Sequence, residues 1–212
     1  MTVRFPSLRR RLVAILRGVT PDEAPAVAAA VFEAGIHAIE VPLNSPDPFR
    51  SIERLAKSLP EPALVGAGTV LTAAQVDRLG DAGGRLLVSP NIDRAVMERA
   101  AHHGMVTMPG VFTPSEAFLA LSLGASALKF FPASALGSKG IAAIKAVLPA
   151  DTMIGAVGGV SEKDFADFAK IGVSTFGLGS SLYAPGLTAD AVAARAAAAV
   201  AEWDAVFAGT AK

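Results

Sequence analysis

Two ionisable side chains in this 212-residue sequence sit where charge is out of place. Lys129 lies in Ala127–Ala133, Ala-Leu-Lys-Phe-Phe-Pro-Ala, with no other charge in the run. Burial penalises an ammonium and lowers its pKa. A neutral amine can then attack a ketone and form an imine. Glu40 lies in Ala38–Leu43, Ala-Ile-Glu-Val-Pro-Leu, near the end of a second apolar run. A carboxylate there serves as a general acid–base or as the partner of a buried cation. Together the two supply what imine chemistry requires, a nucleophile and a proton shuttle. Position alone leaves other readings open: Lys129 can snorkel to a rim, and the two can form an inert ion pair.

Other groups fall at the ends of similar runs. Arg17 ends Ala14–Arg17 and suits bidentate capture of a carboxylate, or is an ordinary surface arginine. Gly66–Thr69, Gly-Ala-Gly-Thr, offers small residues that let backbone N–H groups reach a ligand, and Thr69 adds a hydroxyl. Val157–Ser161 and Gly177–Ser181 are two glycine-rich turns, each after an apolar run. As a pair they point to a phosphate cradle built from backbone N–H groups, with two plain turns as the alternative. The three histidines fall elsewhere: His37 precedes a run, and His102 and His103 end a helix-like segment. There is no cysteine and no spaced His/Asp/Glu cluster, so no metal site is expected. The first run is not followed by Gly-x-Gly-x-x-Gly, so a dinucleotide site is unsupported and no cofactor is expected.

These residues need a scaffold that brings run ends together. The sequence alternates short apolar, β-branched runs with longer amphipathic or alanine-rich ones. The strand-like runs are Val13–Leu16, Ala38–Val41, Ala63–Gly66, Leu86–Ser89, Val106–Pro109, Ala127–Phe130, Met153–Val157 and Thr175–Leu178. The helix-like runs are Pro21–Ala34, Pro46–Ser58, Ala73–Gly83, Asp93–His103, Pro114–Leu123, Ser138–Val147, Glu162–Ile171 and Ala189–Phe207. Thr20, Thr113 and Ser161 are expected N-caps, with Glu116 completing a capping box. Gly35, Gly104, Gly124 and Gly172 are expected to close helices. Strict alternation without a distinct second half predicts an α/β protein, a closed (β/α)8 TIM barrel spanning residues 1–212 as one domain. An open doubly wound sheet is the rival. In such barrels the site lies at the C-terminal strand ends.

Composition narrows the partners. Lys plus Arg equals Asp plus Glu at 19 each, so no global field attracts nucleic acid or an anionic membrane. No stretch approaches the ~20 apolar residues of a membrane span. No signal peptide is visible, which makes a cytoplasmic enzyme the expectation. Hydrophobic residues are 52% and charged residues 18%, which implies a large core or a face covered by a partner subunit.

Seven ordered segments resemble one family. They are Ala38–Leu43, Gly66–Thr69, Leu87–Asn91, Met108–Gly110, Leu128–Ala133, Val157–Val160 and Leu178–Ser181. They are similar to the 2-keto-3-deoxy-6-phosphogluconate/galactonate aldolases, and the match runs from Arg17 to about Tyr183. The resemblance implies class I aldol cleavage of a 2-keto-3-deoxy sugar-acid phosphate in a homotrimer. It makes Lys129 the Schiff-base lysine and Glu40 the acid–base residue. Thr69 and its preceding backbone would hold the pyruvyl carboxylate with help from Arg17. Pro90 and Phe131 would line the site near the imine. Gly158, Gly159, Gly179 and Ser180 would cradle the phosphate.

Two departures separate this chain from the gluconate branch, which usually reads Glu-x-Thr-x-Arg after the second strand and has a threonine before the strand-seven Gly-Gly. Here the segment is Glu40–Pro46, Glu-Val-Pro-Leu-Asn-Ser-Pro, and Val157 replaces the threonine. These, with the Ile-Leu-Arg start, are similar to the galactonate branch. The two substrates are C4 epimers. Losing one hydroxyl donor there is worth roughly 0.5–1.5 kcal/mol, which biases selectivity without guaranteeing it. The gluconate epimer, 4-hydroxy-2-oxoglutarate, and a phosphate-binding barrel isomerase or epimerase remain alternatives.

Overall fold

The computed structural model describes residues 3–208. Among these residues it contains nine strands and eight helices. The strands are β1 Leu12–Ile15, β2 Ala38–Pro42, β3 Leu64–Gly68, β4 Leu86–Val88, β5 Val106–Met108, β6 Gly110–Val111, β7 Leu128–Phe130, β8 Ile154–Val157 and β9 Thr175–Leu178. The helices are α1 Ala24–Glu33, α2 Pro48–Ser58, α3 Ala73–Asp81, α4 Arg94–His102, α5 Pro114–Ser122, α6 Ala133–Lys145, α7 Phe165–Lys170 and α8 Ala189–Phe207. All strand pairings are parallel, in the order β5-β4-β3-β2-β1-β9-β8-β7-β6. The sheet curls into a nearly closed, TIM-like barrel.

The expected fifth strand, Val106–Pro109, is corrected to two. Pro109 has no N–H and cannot donate to a ladder, so it divides β5 from β6. The chain still runs straight through, and the Pro109 carbonyl accepts from Lys129 N–H at 3.0 Å.

The period of two assigns every strand residue to one of two cores. Outward residues such as Leu12, Ile39, Val65, Leu87, Leu128, Phe130, Ile154 and Phe176 pack under the helices. Inward residues Val13, Ala38, Leu64, Leu86, Val106 and Ala127 form a separate cluster inside the barrel, floored by Phe5. Two residues further along each strand, the same inward parity reaches Ile15, Glu40, Gly66, Val88, Met108 and Lys129. Glu40 and Lys129 therefore point inward because Ala38 and Ala127 do.

Helix boundaries follow local chemistry. Thr113 and Glu116 form the expected capping box on α5. Thr72 and Gln75 form another on α3. Ser161 caps with Asp164, heading a 3-10 turn over Glu162–Asp164 before α7. Thr20 caps the turn that leads into α1: its hydroxyl accepts from Glu23 N–H at 3.4 Å and its own N–H donates to Glu23 Oε2 at 3.1 Å, while α1 starts at Ala24 rather than at the expected Pro21. The sixth helix starts at Ala133 rather than Ser138, and Gly137 at φ 64° kinks it at the expected start. All four helix-closing glycines take positive φ.

Strand packing is tightest beside Gly66, where an added Cβ would overlap the Leu86 backbone carbonyl. Backbone cannot swing aside as a side-chain tip can. Gly66→Ala is therefore expected to destabilise the fold by about 2 kcal/mol or more. Gly179→Ala, where a Cβ meets nothing within 4 Å, should leave the thermal midpoint within about a degree or two. Equal melting of both variants would contradict this packing.

Candidate active site

The strand register places the two ionisable groups in one barrel interior. Glu40 pairs with Ile15 on β1 and Gly66 on β3. Lys129 pairs with Gly110 on β6 and Gly155 on β8. The glycine neighbours let adjoining backbone pack close: a Cβ on Gly66 would meet the Leu86 carbonyl, and one on Gly110 the Pro90 carbonyl. Glu40 is 2% exposed and Lys129 6%, so both are buried charges.

Burial decides their chemistry. Desolvation pushes the Glu40 carboxyl up to about 7; the positive charges of Lys129 and Arg17 and the Gly68 N–H pull it partly back. Desolvation pushes the Lys129 ammonium down to about 8; Glu40 opposes this and Arg17 adds to it. The two pKa values have moved toward each other and toward neutrality. An amine that loses its proton near 8 is a nucleophile at working pH, and a carboxyl near 7 gives and takes protons there.

Gly68 fixes the carboxylate. A Cβ at this position would overlap both Glu40 oxygens, so only glycine lets the N–H approach. Glu40 Oε2 is buried without a hydrogen-bond partner among the described residues. An orphan carboxylate oxygen costs stability, and such groups call for a functional account. This one has its acceptor capacity free for a proton of substrate or water. The Phe131 ring lies 4.5 Å from Lys129 Nζ, an apolar and π-rich wall that favours the cation on its face and excludes water.

The remaining expected residues lie at or just past the C-terminal ends of the barrel strands. Arg17 lies just past β1 and acts on both charges. Thr69 follows Gly68 with φ 58°, a left-handed conformation that costs a β-branched residue about 1–3 kcal/mol and is found where a ligand is gripped. The Pro90 carbonyl presses on Gly110, beside the Lys129 strand. Val157 is buried, and a Cβ at Gly177 would lie 2.7 Å from its Cγ2 and 3.2 Å from Ile15 Cδ1. Its apolar branch thus occupies the inner wall.

Gly158 and Gly159 have φ 91° and 70°. A Cβ on Gly158 would lie 2.9 Å from the Phe131 ring, which connects this turn to the lysine wall. Ser181 Oγ donates to the Val160 carbonyl at 3.1 Å and ties the β8 turn to the Gly179–Ser180 turn.

Three contributors escaped the sequence reading. Ser134 Oγ lies against Gly159, 2.5 Å from where its Cβ would be. Asn44 accepts from Arg17, and Ser45 from Gly18 N–H. Their partners are 25 or more residues away in sequence, so these contacts have no local signal, although Asn44 and Ser45 fall in the Glu40–Pro46 segment already set apart. Histidines stand apart from the mouth: His103 Nε2 pairs with Asp77 Oδ1 at 2.7 Å on the surface. Among the described residues no group of three or more His, Cys, Asp and Glu converges as metal ligands would.

A TIM-like barrel that buries a lysine and a carboxyl in one interior, each with its pKa drawn toward neutrality, fits a carbon–carbon lyase. Residues 7–199 match the family model for KDPG and KHG aldolase, and the chain belongs to this aldolase family. It is 61% identical over 207 residues to a probable 2-dehydro-3-deoxy-6-phosphogalactonate aldolase of Rhizobium meliloti (strain 1021), covering 98% of each chain. It is 49% identical over 187 residues to 2-dehydro-3-deoxy-6-phosphogalactonate aldolase of Escherichia coli (strain K12), covering 88% of this chain and 91% of that one. A solved structure described as native KDPGal superimposes with TM-score 0.94 at 45% identity, over 97% of this chain and 99% of the other.

The shifted lysine has a measurable signature. The rate of reductive capture of pyruvate at low concentration should rise with pH and level off with a midpoint near 8. An ordinary lysine would give a midpoint near 10.4. A midpoint above about 10 would show that burial does not activate the amine.

Proposed function

We propose that this chain is a class I aldolase that cleaves 2-dehydro-3-deoxy-6-phosphogalactonate to pyruvate and D-glyceraldehyde 3-phosphate. The observation that carries the chemistry is the buried Lys129–Glu40 pair with both pKa values drawn toward neutrality. The epimer assignment rests on the names of the two relatives above and on the apolar Val157 at the wall.

In this reading the neutral Lys129 amine attacks the C2 ketone. Glu40 relays protons so that water leaves and a protonated imine remains. The imine accepts the electron pair of the C3–C4 bond. Glu40, through its unpartnered Oε2, takes the C4 hydroxyl proton as that bond breaks and the aldehyde departs. The enamine is reprotonated at C3, and water releases pyruvate and the free amine. Arg17 and Thr69 hold the carboxylate, and Pro90 and Phe131 shield the imine. Gly158, Gly159, Gly179 and Ser180 hold the phosphate, whose remote binding energy positions C4 over the base. No step calls on a metal or an organic cofactor.

Four further readings complete the proposal. The sheet closes into a full (β/α)8 barrel with 106–111 acting as one strand, supported by Phe131 N–H on Val111 O at 3.1 Å and Ser89 N–H on Met108 O at 3.3 Å. The chain works as one domain. The enzyme is a homotrimer, for which exposed Leu71, Phe112, Phe118 and Val147 offer apolar surface to cover. The reaction runs in the cytoplasm, since a charged phosphate ester does not cross a bilayer unaided.

Borohydride with pyruvate should add a reduced pyruvyl group to Lys129, read as a mass shift on its peptide; a shift on another residue, or none, removes the mechanism. Glu40→Gln should lower kcat by about 10²–10⁴, and near-normal turnover would take the proton work away from Glu40. The two C4-epimeric 6-phosphates should differ in kcat/KM in favour of the galactonate, and Val157→Thr should narrow the ratio by about 2- to 10-fold. A parent preference for the gluconate epimer would make the alternative, 2-dehydro-3-deoxy-6-phosphogluconate aldolase, the better reading.

A further inference from the structure

The exits of β1 and β2 are stitched together at the barrel mouth. Arg17 Nη1 donates to Asn44 Oδ1 at 2.5 Å, and the next residue, Gly18, donates its N–H to Ser45 Oγ at 2.9 Å. Ser45 is buried, and its own N–H is fixed on the Pro42 carbonyl at 2.9 Å. On the other side, Gly18 at φ 85° backs onto Pro185, whose Cγ would lie 2.7 Å from a Cβ there. The Arg17 backbone is thus clamped between two walls.

The Arg17 side chain is not clamped in this way. It is exposed, and an arginine gives up about 1.5–2 kcal/mol of rotamer freedom to hold one position. Among the described residues, the Asn44 carboxamide is the one acceptor on its guanidinium. That acceptor has two useful properties. It is neutral, so it orients the cation without cancelling its charge. It also takes one of five N–H donors, leaving a pair free to meet a carboxylate in bidentate fashion.

We propose that Asn44 is a positioning residue that holds the Arg17 guanidinium over the barrel mouth, so that an arginine just past β1, steered by an asparagine just past β2, captures the carboxylate of the 2-keto acid. The inference rests on the imine reading above. Asn44 does not touch the Lys129–Glu40 pair; it acts through Arg17, whose charge is felt by both. The effect therefore belongs in carboxylate affinity rather than in the bond-breaking step.

The experiment measures reductive capture of pyruvate on Lys129 against pyruvate concentration in the parent, Asn44→Ala, Arg17→Ala and the double variant, with a thermal melt of each. Asn44→Ala should raise the half-saturating pyruvate concentration about 3- to 10-fold, the effect of losing one hydrogen bond to a charged group at an exposed site. Its capture rate at saturation should stay within about 2-fold of the parent. In the Arg17→Ala background the Asn44→Ala change should have no further effect, because the group it positions is gone. A capture curve for Asn44→Ala that superimposes on the parent overturns the proposal. So does a penalty that persists in full without Arg17, which marks Asn44 as merely structural. If the parent itself adds no pyruvate to Lys129, the imine reading fails, and the positioning role fails with it.

Discussion

The site depends on desolvation of two opposite charges inside one barrel. Lys129 and Glu40 are almost wholly buried, and the loss of hydration shifts each pKa toward neutrality more than its partner shifts it back. Their attraction offsets part of the cost and leaves the rest in the fold. For the carboxyl the sign is clear. Its folded pKa, about 7, lies above the unfolded 4.5, so the native state binds this proton more tightly and stability falls as pH climbs through that window. A barrel built only for stability would fill these positions with leucine or valine, as it does one layer below at Leu64, Leu86 and Val106.

Everything around the pair serves to keep it dry while leaving it reachable. Glycines at 66, 68, 110 and 155 flank the two residues along β3, β6 and β8, and let neighbouring backbone and the Glu40 carboxylate itself close in where a Cβ would stand. The bulk returns as Phe131 over the amine and Val157 on the far wall. Arg17 sits above, exposed, with its charge still sensed by both groups. The arrangement separates two tasks. In the proposed mechanism the interior changes protonation, and the rim, with Arg17, Thr69 and the two glycine turns, recognises anions.

Several of these features were legible in the primary structure for stated reasons. A charge within an apolar, β-branched run has few places to go except a functional interior, which is how Lys129 and Glu40 stand out. Period-two alternation then fixes the face, since Ala38 and Glu40, like Ala127 and Lys129, must share it. Capping chemistry located α5 within a residue, because Thr113 and Glu116 satisfy each other locally. The misreadings are also local in origin. α1 starts at Ala24 rather than Pro21 because Thr20 and Glu23 first close a capped turn, and Pro109 broke a strand whose hydrophobic pattern runs on unbroken.

By itself, then, the sequence determined the order of strands and helices, save for the break at Pro109, the inward face of each strand, and that Lys129 and Glu40 are the charges set inside apolar runs. These follow from short-range rules of periodicity, capping and burial. Only the tertiary structure decided that Gly68 meets Glu40, that Gly158 backs the Phe131 ring, that Ser134 lies on Gly159 and that Asn44 holds Arg17. Each joins residues from different strand ends. Their meeting depends on how the sheet curls and on the register between strands, which set inter-strand distances that no local window of sequence contains.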